Sequence, residues 1–219
     1  MRRAIAVILM LPGLVLLGFL SWQYVGTNIS ASGSQDTVRE SITKSLEAQD
    51  SKSEPVYPWQ KSKPVKRDTT SKPVVKPKKI KVDDRFVEFV GLLSIPAIGV
   101  KNEPVVDSFT QQILDAGIIA SMGAKPGTIG NFVVIGHVVG HGEVFRDLKK
   151  LRKGDTVTVK TATGTFTYRI RGGPVTIKDT DTEVLRGSSK KIMTLITCAE
   201  VFHTDKRIAV FGDLVMRTP

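Results

Sequence analysis

The sequence predicts an all-β domain, a barrel or a sandwich, with small helical insertions. About eight short runs of apolar or alternating residues, separated by turn residues, follow one another between residues 83 and 219. Few segments of this region have helical spacing. The sequence also shows no internal repeat and no glycine-rich phosphate loop followed by a helix. These observations favour short strands joined by turns over a helical or a nucleotide-binding α/β fold.

The individual strands are predicted from apolar runs that end at glycine, proline or polar clusters. In chain order they are Val87 to Ile95, Ile98 to Val106, Asn131 to His137, Thr156 to Lys160, Thr165 to Arg171, Val175 to Ile177, Ile192 to Thr197 and Arg207 to Val215. Gly117 to Ser121 is a further short apolar run. Thr163-Gly164 predicts a hairpin turn. Helical spacing is confined to Phe109 to Leu114, to Val144 to Leu151, and to a start at Asp181.

Ahead of this domain the sequence predicts an N-terminal membrane anchor at residues 1–26. Ala4 to Val25 carries no charge over 22 positions, which in a helix is about 33 Å and enough to cross a hydrocarbon core. Trp22 and Tyr24 stand at its far end, where interfacial aromatic residues are expected. The arginines that precede it predict a cytoplasmic N-terminus and an extracellular location for the β-domain, in a single-pass protein of the cell membrane. A cleaved signal peptide is the alternative, and it exports the domain equally.

Residues 27–82 are predicted to be an extracellular linker rich in Lys, Pro and Ser. Twelve Lys/Arg against six Asp/Glu between residues 31 and 82 contribute +6 of the net charge of +11, whereas residues 83–219 contribute only +3. Most of the basic charge therefore lies outside the folded domain, which argues against a nucleic-acid-binding protein. A basic segment next to a membrane anchor favours attraction to anionic phosphate groups.

Three strand ends carry side chains that together suit nucleophilic catalysis. Cys198, the only cysteine of the chain, follows the apolar run Ile192 to Ile196. His137 follows Gly136 at the end of another predicted strand, and Arg207 begins the last strand. A thiolate nucleophile, a proton-transferring imidazole and a fixed guanidinium donor are the parts of a cysteine-dependent acyl-transfer site.

Each of these residues also has a simpler interpretation. Cysteine is often a small buried hydrophobic residue, and an arginine at the start of a strand is usually a solvated charge. His141 and His203 are alternatives to His137, although the position after an apolar strand favours His137. A single cysteine and three scattered histidines lack the spacing of metal ligands, so no metal or other cofactor is expected.

Two segments of the chain resemble the sortase family. Asn131 to Phe145 (NFVVIGHVVGHGEVF) is similar to the histidine region of sortases, and Thr194 to Cys198 (TLITC) with Arg207 starting the next strand is similar to their nucleophile motif. Leu93 to Pro96 also agrees with the family pattern. The resemblance extends over about residues 87–215, which is nearly the whole predicted domain.

This resemblance implies a closed eight-stranded β-barrel and a cysteine transpeptidase of Gram-positive bacteria. Sortases cleave an LPxTG-like sorting signal between Thr and Gly and transfer the acyl group to an amine. The family pattern places the nucleophile at Cys198, the catalytic histidine at His137 and the arginine at Arg207. It makes Thr197 and Thr194 candidate substrate-binding residues. The implied partners are signal-bearing surface proteins or pilins, a cell-wall precursor or pilin lysine as acceptor, and the membrane.

Two details of the sequence bear on the subclass. The loop Ala199 to Lys206 is short, and no apolar segment follows Val215, which together resemble the compact sortases without a C-terminal anchor.

Two further functions remain open from the residues. An L,D-transpeptidase-like enzyme would approach its nucleophile through Ser-x-Gly-Cys, whereas this chain has Leu-Ile-Thr-Cys. A non-catalytic binding module on a stalk would keep Cys198 as an inert core residue.

Overall fold

The computed structural model describes residues 15–23, 25, 40, 79–82, 85–140, 142–199 and 205–219. Residues 15–23 and 25 are helical. From residue 79 onward the described chain forms strands β1 (Lys79–Val82), β2 (Arg85–Ile95), β3 (Val100–Asp107), β4 (Ile119–Gly123), β5 (Gly130–Ile135), β6 (Thr156–Thr161), β7 (Gly164–Ile170), β8 (Val175–Lys178), β9 (Lys191–Cys198) and β10 (Lys206–Thr218). It also forms the short helix α1 (Gln111–Asp115) and the 3₁₀ turns η1 (Pro96–Ile98), η2 (Leu148–Lys150) and η3 (Thr182–Leu185).

Eight of these strands close into a barrel. The order around the wall is β2-β3-β4-β5-β9-β10-β7-β6, and β6 pairs back onto β2. Strand β1 extends the sheet from β2, and β8 pairs with the first part of β10. The predicted all-β class and the closed eight-stranded barrel are therefore confirmed.

Two of the pairings in the wall are parallel, and they decide where the site lies. Strand β3 runs parallel to β4, and β5 runs parallel to β9, whereas the remaining neighbours are antiparallel. Parallel neighbours need a crossover connection, and α1 supplies it between β3 and β4. Because β5 and β9 run the same way, the residues that follow β5 lie beside the end of β9.

The barrel interior holds the main core. Leu93, Phe132, Tyr168, Leu195 and Val210 are nearly or fully buried there, each from a different strand. A smaller cluster lies on the outside of the wall, where Ile113 and Leu114 of α1 pack against β2, β3 and β4. The two clusters follow from the alternation of side chains along each strand, one set pointing inward and the next outward.

Two segments differ from the sequence prediction. Val144 to Leu151 is not a helix: only η2 is regular, and Glu143 just before this segment has a left-handed φ of 47°. Phe145, Leu148 and Leu151 are buried in the barrel core, so the apolar spacing arises from a loop that covers one end of the barrel. In addition β1 lies inside the segment predicted to be linker, since Ile80 and its neighbours pair with β2.

Of the membrane anchor predicted at residues 1–26, residues 1–14, 24 and 26 lie outside the described residues. Within the described part of the chain the structure contains no helix that is long and apolar enough to cross a bilayer. Of the predicted linker, only residue 40 and residues 79–82 are described. The anchor and the linker stay predictions.

Candidate active site

The strand pairing places the three predicted catalytic residues at the same edge of the sheet. Arg207 on β10 pairs directly with Cys198 on β9. Ile135, the last residue of β5, pairs with Ile196 on β9, and the Gly136 N–H donates to the Ile196 carbonyl at 3.2 Å, so His137 follows β5 at the edge where β9 ends in Cys198. Neighbouring strands lie about 4.8 Å apart, so the backbones of Cys198 and Arg207 are adjacent. We call His137, Cys198 and Arg207 the reactive row.

The reactive row lies on the outer face of the barrel. Leu195 of β9 points into the interior core, and side chains alternate along a strand, so Thr194, Ile196 and Cys198 point outward. Residues that are directly paired across strands share a face, which places Arg207 on the same side as Cys198. A site on the outer face is open to an extended peptide, whereas the packed interior is not.

Cys198 ends its strand at the boundary between the wall and solvent. Its thiol is free and partly exposed. The backbone N–H of the next residue, Ala199, donates to the Lys206 carbonyl at 3.0 Å, so the β9–β10 ladder continues one step past the cysteine. The position of the thiol is therefore set by backbone hydrogen bonds on both strands.

Arg207 is held at the start of β10 by the same carbonyl. Its Nη1 donates to the Lys206 carbonyl oxygen at 3.0 Å, and the residue is half-buried. A guanidinium has five N–H donors in a fixed planar arrangement, and this bond uses one of them. An arginine paired directly with the nucleophile can donate to negative charge that develops at an acyl carbon bound there.

His137 is fixed by the loop that covers the end of the barrel. Its carbonyl accepts the Phe145 N–H at 3.0 Å. A Cβ on Gly136 would come within 2.9 Å of the buried Phe145 ring, so glycine allows this close approach. The His137 side chain is about one-fifth exposed, and its Nε2 lies 3.8 Å from Oδ1 of Asp115 on α1. The alternatives His141 and His203 lie outside the described residues.

Thr197 links the strand that ends in Cys198 to the segment that leads to His137. It is buried, and its Oγ1 donates to the Gly136 carbonyl at 2.8 Å. This bond joins the residue before Cys198 to the residue before His137. The bond also explains why this position is a threonine. Valine has the same shape but no hydroxyl, so the Gly136 carbonyl would lose this hydrogen bond. The predicted contact of Thr197 with substrate stays a prediction.

Thr194 lies deeper, under the β8–β9 connector, which we define as residues 179–190. It is fully buried, and its Oγ1 donates to Oδ1 of Asn131 at 2.8 Å. Asn131 in turn donates through Nδ2 to the carbonyls of Val184 at 2.8 Å and Arg186 at 3.2 Å. In this structure Thr194 therefore contacts the connector network rather than the surface that a peptide would meet.

The Asn131 network predicts a stability effect. Asn131→Ala removes three hydrogen bonds and leaves the Thr194 hydroxyl buried without its acceptor. We expect the free energy of unfolding to fall by about 2 to 4 kcal/mol, measured by urea denaturation. Gln112→Ala on the exposed side of α1 is the control and should change stability by less than about 0.5 kcal/mol. Equal stabilities of the two variants would contradict this account.

An apolar row lies next to the reactive row on the same outer face. It runs across the strands through Ile135, Ile196, Ala209 and Val175, which are paired in that order. Val175, on β8, is 46% exposed, whereas Ile196 and Ala209 are covered. We call these four residues the apolar shelf. Val175 is the shelf residue with the most exposed surface, so an apolar side chain of a bound peptide would contact the shelf there.

The chemistry of the site follows from its three side chains. A thiol that can attack, an imidazole that can carry a proton and a guanidinium that can bind an oxyanion suit acyl transfer through a thioester. Among the described residues, the structure holds no group of three or more His, Cys, Asp or Glu side chains placed to bind a metal ion.

The comparisons with known proteins agree on one family. The family model of the Sortase domain matches residues 93–215. The chain is 31% identical to Sortase A of Bacillus anthracis over 129 residues, covering 58% of this chain and 60% of that protein. It is 30% identical to Sortase SrtE1 of Streptomyces coelicolor over 144 residues, covering 58% of this chain and 41% of that protein. The chain thus spans about half the length of these curated relatives.

A solved structure gives the same result. The crystal structure of Sortase E1 from Streptomyces coelicolor, with a tripeptide in its active site, superposes with a TM-score of 0.55 at 27% identity. The superposition covers 60% of this chain and 90% of that chain.

Proposed function

The chain belongs to the sortase family, and on that premise we propose that it is a cysteine transpeptidase that cleaves an LPxTG-like sorting signal between Thr and Gly and joins the acyl fragment to an amine. The observation that supports this proposal is the direct pairing of Arg207 with Cys198, beside the end of the parallel strand β5 that leads to His137. We assign the nucleophile to Cys198, proton transfer to His137 and oxyanion binding to Arg207.

In the first half of the reaction the Cys198 thiolate attacks the carbonyl carbon of the signal's threonine. The C–S bond forms, the carbonyl oxygen becomes an oxyanion, and Arg207 donates hydrogen bonds to it. The C–N bond to glycine then breaks, and His137 in its protonated form gives a proton to the leaving amine. The products are a thioester on Cys198 and a peptide with a new amino terminus.

In the second half an amine acceptor attacks the thioester. His137, now neutral, takes a proton from the attacking nitrogen, and Arg207 again binds the oxyanion. The C–S bond breaks and the thiolate of Cys198 returns. Water in place of the amine would give hydrolysis.

The apolar shelf supports a peptide substrate with an apolar residue upstream of the cleaved bond. It lies one row away from the thiol and is exposed at Val175. The connector covers Thr194 on β9, and α1 packs near Ile135 on β5. An extended peptide lying between them would have its reactive carbonyl at Cys198.

The predicted N-terminal anchor and linker fit this activity. We propose that residues 1–26 hold the enzyme in the cell membrane and that residues 27–82 set the barrel above it on the outer side. The partners are then surface proteins or pilins bearing the signal, with a cell-wall precursor or a pilin lysine as the acceptor. No nucleic acid is expected among them.

A transfer assay tests the proposed function. The full chain is incubated with Leu-Pro-x-Thr-Gly or Leu-Ala-x-Thr-Gly peptides and with triglycine or a lysine peptide, and the products are identified by mass. We expect the fragment ending at Thr to appear joined to the amine. Products cut at other bonds, or fragments that never carry the added amine, would contradict transpeptidation and favour another exported cysteine peptidase.

A further inference from the structure

Helix α1 brings a carboxylate to the catalytic imidazole. Oδ1 of Asp115 lies 3.8 Å from Nε2 of His137, an ion-pair distance that is longer than a hydrogen bond. Asp115 is nearly half exposed and His137 about one-fifth exposed. The sequence offers no pattern that singles out Asp115, since it lies 22 positions before His137 and outside both family motifs.

Asp115 is held in this position by its own helix. Nε2 of Gln111, one turn earlier, donates to the same Oδ1 at 2.7 Å. Thr110 caps the start of α1 by accepting the Ile113 N–H at 3.4 Å. Ile113 and Leu114 are buried in the outer cluster, which fixes the helix against the barrel wall. The carboxylate is thus presented by a packed element.

From this geometry we propose that Asp115 is a positioning residue that orients His137 and favours its protonated form during acyl transfer. This inference deepens the proposed function and rests on it for the reaction step in which the imidazolium protonates the leaving amine. A negative charge beside an imidazole favours the charged form, so loss of the carboxylate leaves less imidazolium at a given pH.

Other charged groups also face this part of the site. Cys198 on β9 and Arg207 on β10 lie in the reactive row itself. In the loop after His137, the Glu143 carboxylate accepts the Gly140 N–H and pairs with Arg146. Of these described groups, Asp115 is the carboxylate found at ion-pair distance from the His137 ring.

The proposal predicts a change in pH dependence. In Asp115→Asn the alkaline limb of the acylation rate should move to lower pH by about 0.3 to 0.7, as expected for a partly exposed pair. Above that limb the rate should be about two- to fivefold lower than in the wild type. Well below it the ratio of the two rates should become smaller and independent of pH, because His137 is protonated in both and only its orientation differs.

The experiment measures His137 directly as well as the rate. The full chain is labelled with ¹³C in the histidine rings, His137→Gln assigns the signal, and the ring is titrated by NMR in the wild type and Asp115→Asn. Asp213→Asn is the matched control. The Asp213 side chain is about as exposed as that of Asp115, and its Oδ1 lies 3.8 Å from Nε of Arg171. Asp213 stands six residues along β10 from Arg207. We expect the midpoint to fall in Asp115→Asn and to stay in Asp213→Asn.

An unchanged midpoint in Asp115→Asn would overturn the proposal, and so would an equal change in both variants. Asp115→Ala is the second variant if Asp115→Asn is unstable, and it should give the same direction. Since the NMR titration needs no substrate, it separates the two hypotheses. If the His137 midpoint is lowered in Asp115→Asn but the wild type transfers no peptide, the proposed function alone is refuted. If the wild type transfers peptide but the His137 midpoint and the pH profile are unchanged in Asp115→Asn, only the role of Asp115 is refuted.

Discussion

Replacing Cys198 with alanine is expected to abolish peptide transfer, with a fall in rate of at least about 10⁴-fold. The thiol is the only group of the reactive row that can form the thioester, so neither His137 nor Arg207 can replace it. The measurement is the rate at which the Thr-ending fragment appears joined to an added amine. Fold should be retained, because Cys198 is partly exposed at a strand end and alanine fits the same backbone.

Two comparisons make the Cys198 result specific. Thermal unfolding of Cys198→Ala should be close to that of the wild type, so that loss of rate is not loss of structure. Cys198→Ser keeps a hydroxyl of similar size and should also be inactive, since serine lacks an accessible anion near neutral pH. Residual transfer above about one-hundredth of the wild-type rate in either variant would contradict the assignment of Cys198 as nucleophile.

Arg207→Ala is expected to lower the acylation rate by about 10²- to 10³-fold, the usual effect of removing one oxyanion donor. Arg207 pairs with Cys198 across β9 and β10, and its backbone neighbour Lys206 holds the guanidinium through a hydrogen bond of 3.0 Å. The loss should be mainly in kcat, because the oxyanion exists only in the transition state and the intermediate. Single-turnover acylation with a peptide substrate measures it.

Arg207→Lys separates charge from donor geometry. Lysine keeps the positive charge but loses the planar fork, so we expect it to recover only part of the rate. Arg217→Ala is the control, since Arg217 stacks over Phe166 and donates to Thr163 near the other end of β10. Full activity in Arg207→Ala, or an equal loss in Arg217→Ala, would show that the guanidinium at position 207 does not bind the oxyanion.

Most of the barrel could be predicted because its strands carry their own signals. The alternation in Thr156–Thr161 and Gly164–Ile170 and the turn between them define a hairpin without reference to the rest of the chain. The apolar run before Cys198 likewise marks a strand buried on one face. The pairing of Cys198 with Arg207 was predictable for the same reason, since the sequence places both residues at strand ends.

Features that depend on packing between distant segments could not be predicted. The spacing of Val144 to Leu151 is that of a helix, yet its apolar residues are buried because the loop folds over the barrel end and bonds to His137. Asn131 appears in the sequence as one residue of a strand, and its contact with the connector needs the fold. Asp115 approaches His137 only after α1 has packed on the outside of the wall.

The most direct test of the central claim is the mass of the acyl-enzyme. The full chain is mixed with the Leu-Pro-x-Thr-Gly and Leu-Ala-x-Thr-Gly peptides in the absence of an acceptor, and the intact protein mass is recorded beside that of Cys198→Ala. We predict a mass gain equal to the peptide up to Thr, absent in the variant and lost when an amine is added. A Cys198 that reacts with a small thiol reagent but gains no peptide mass would contradict the account.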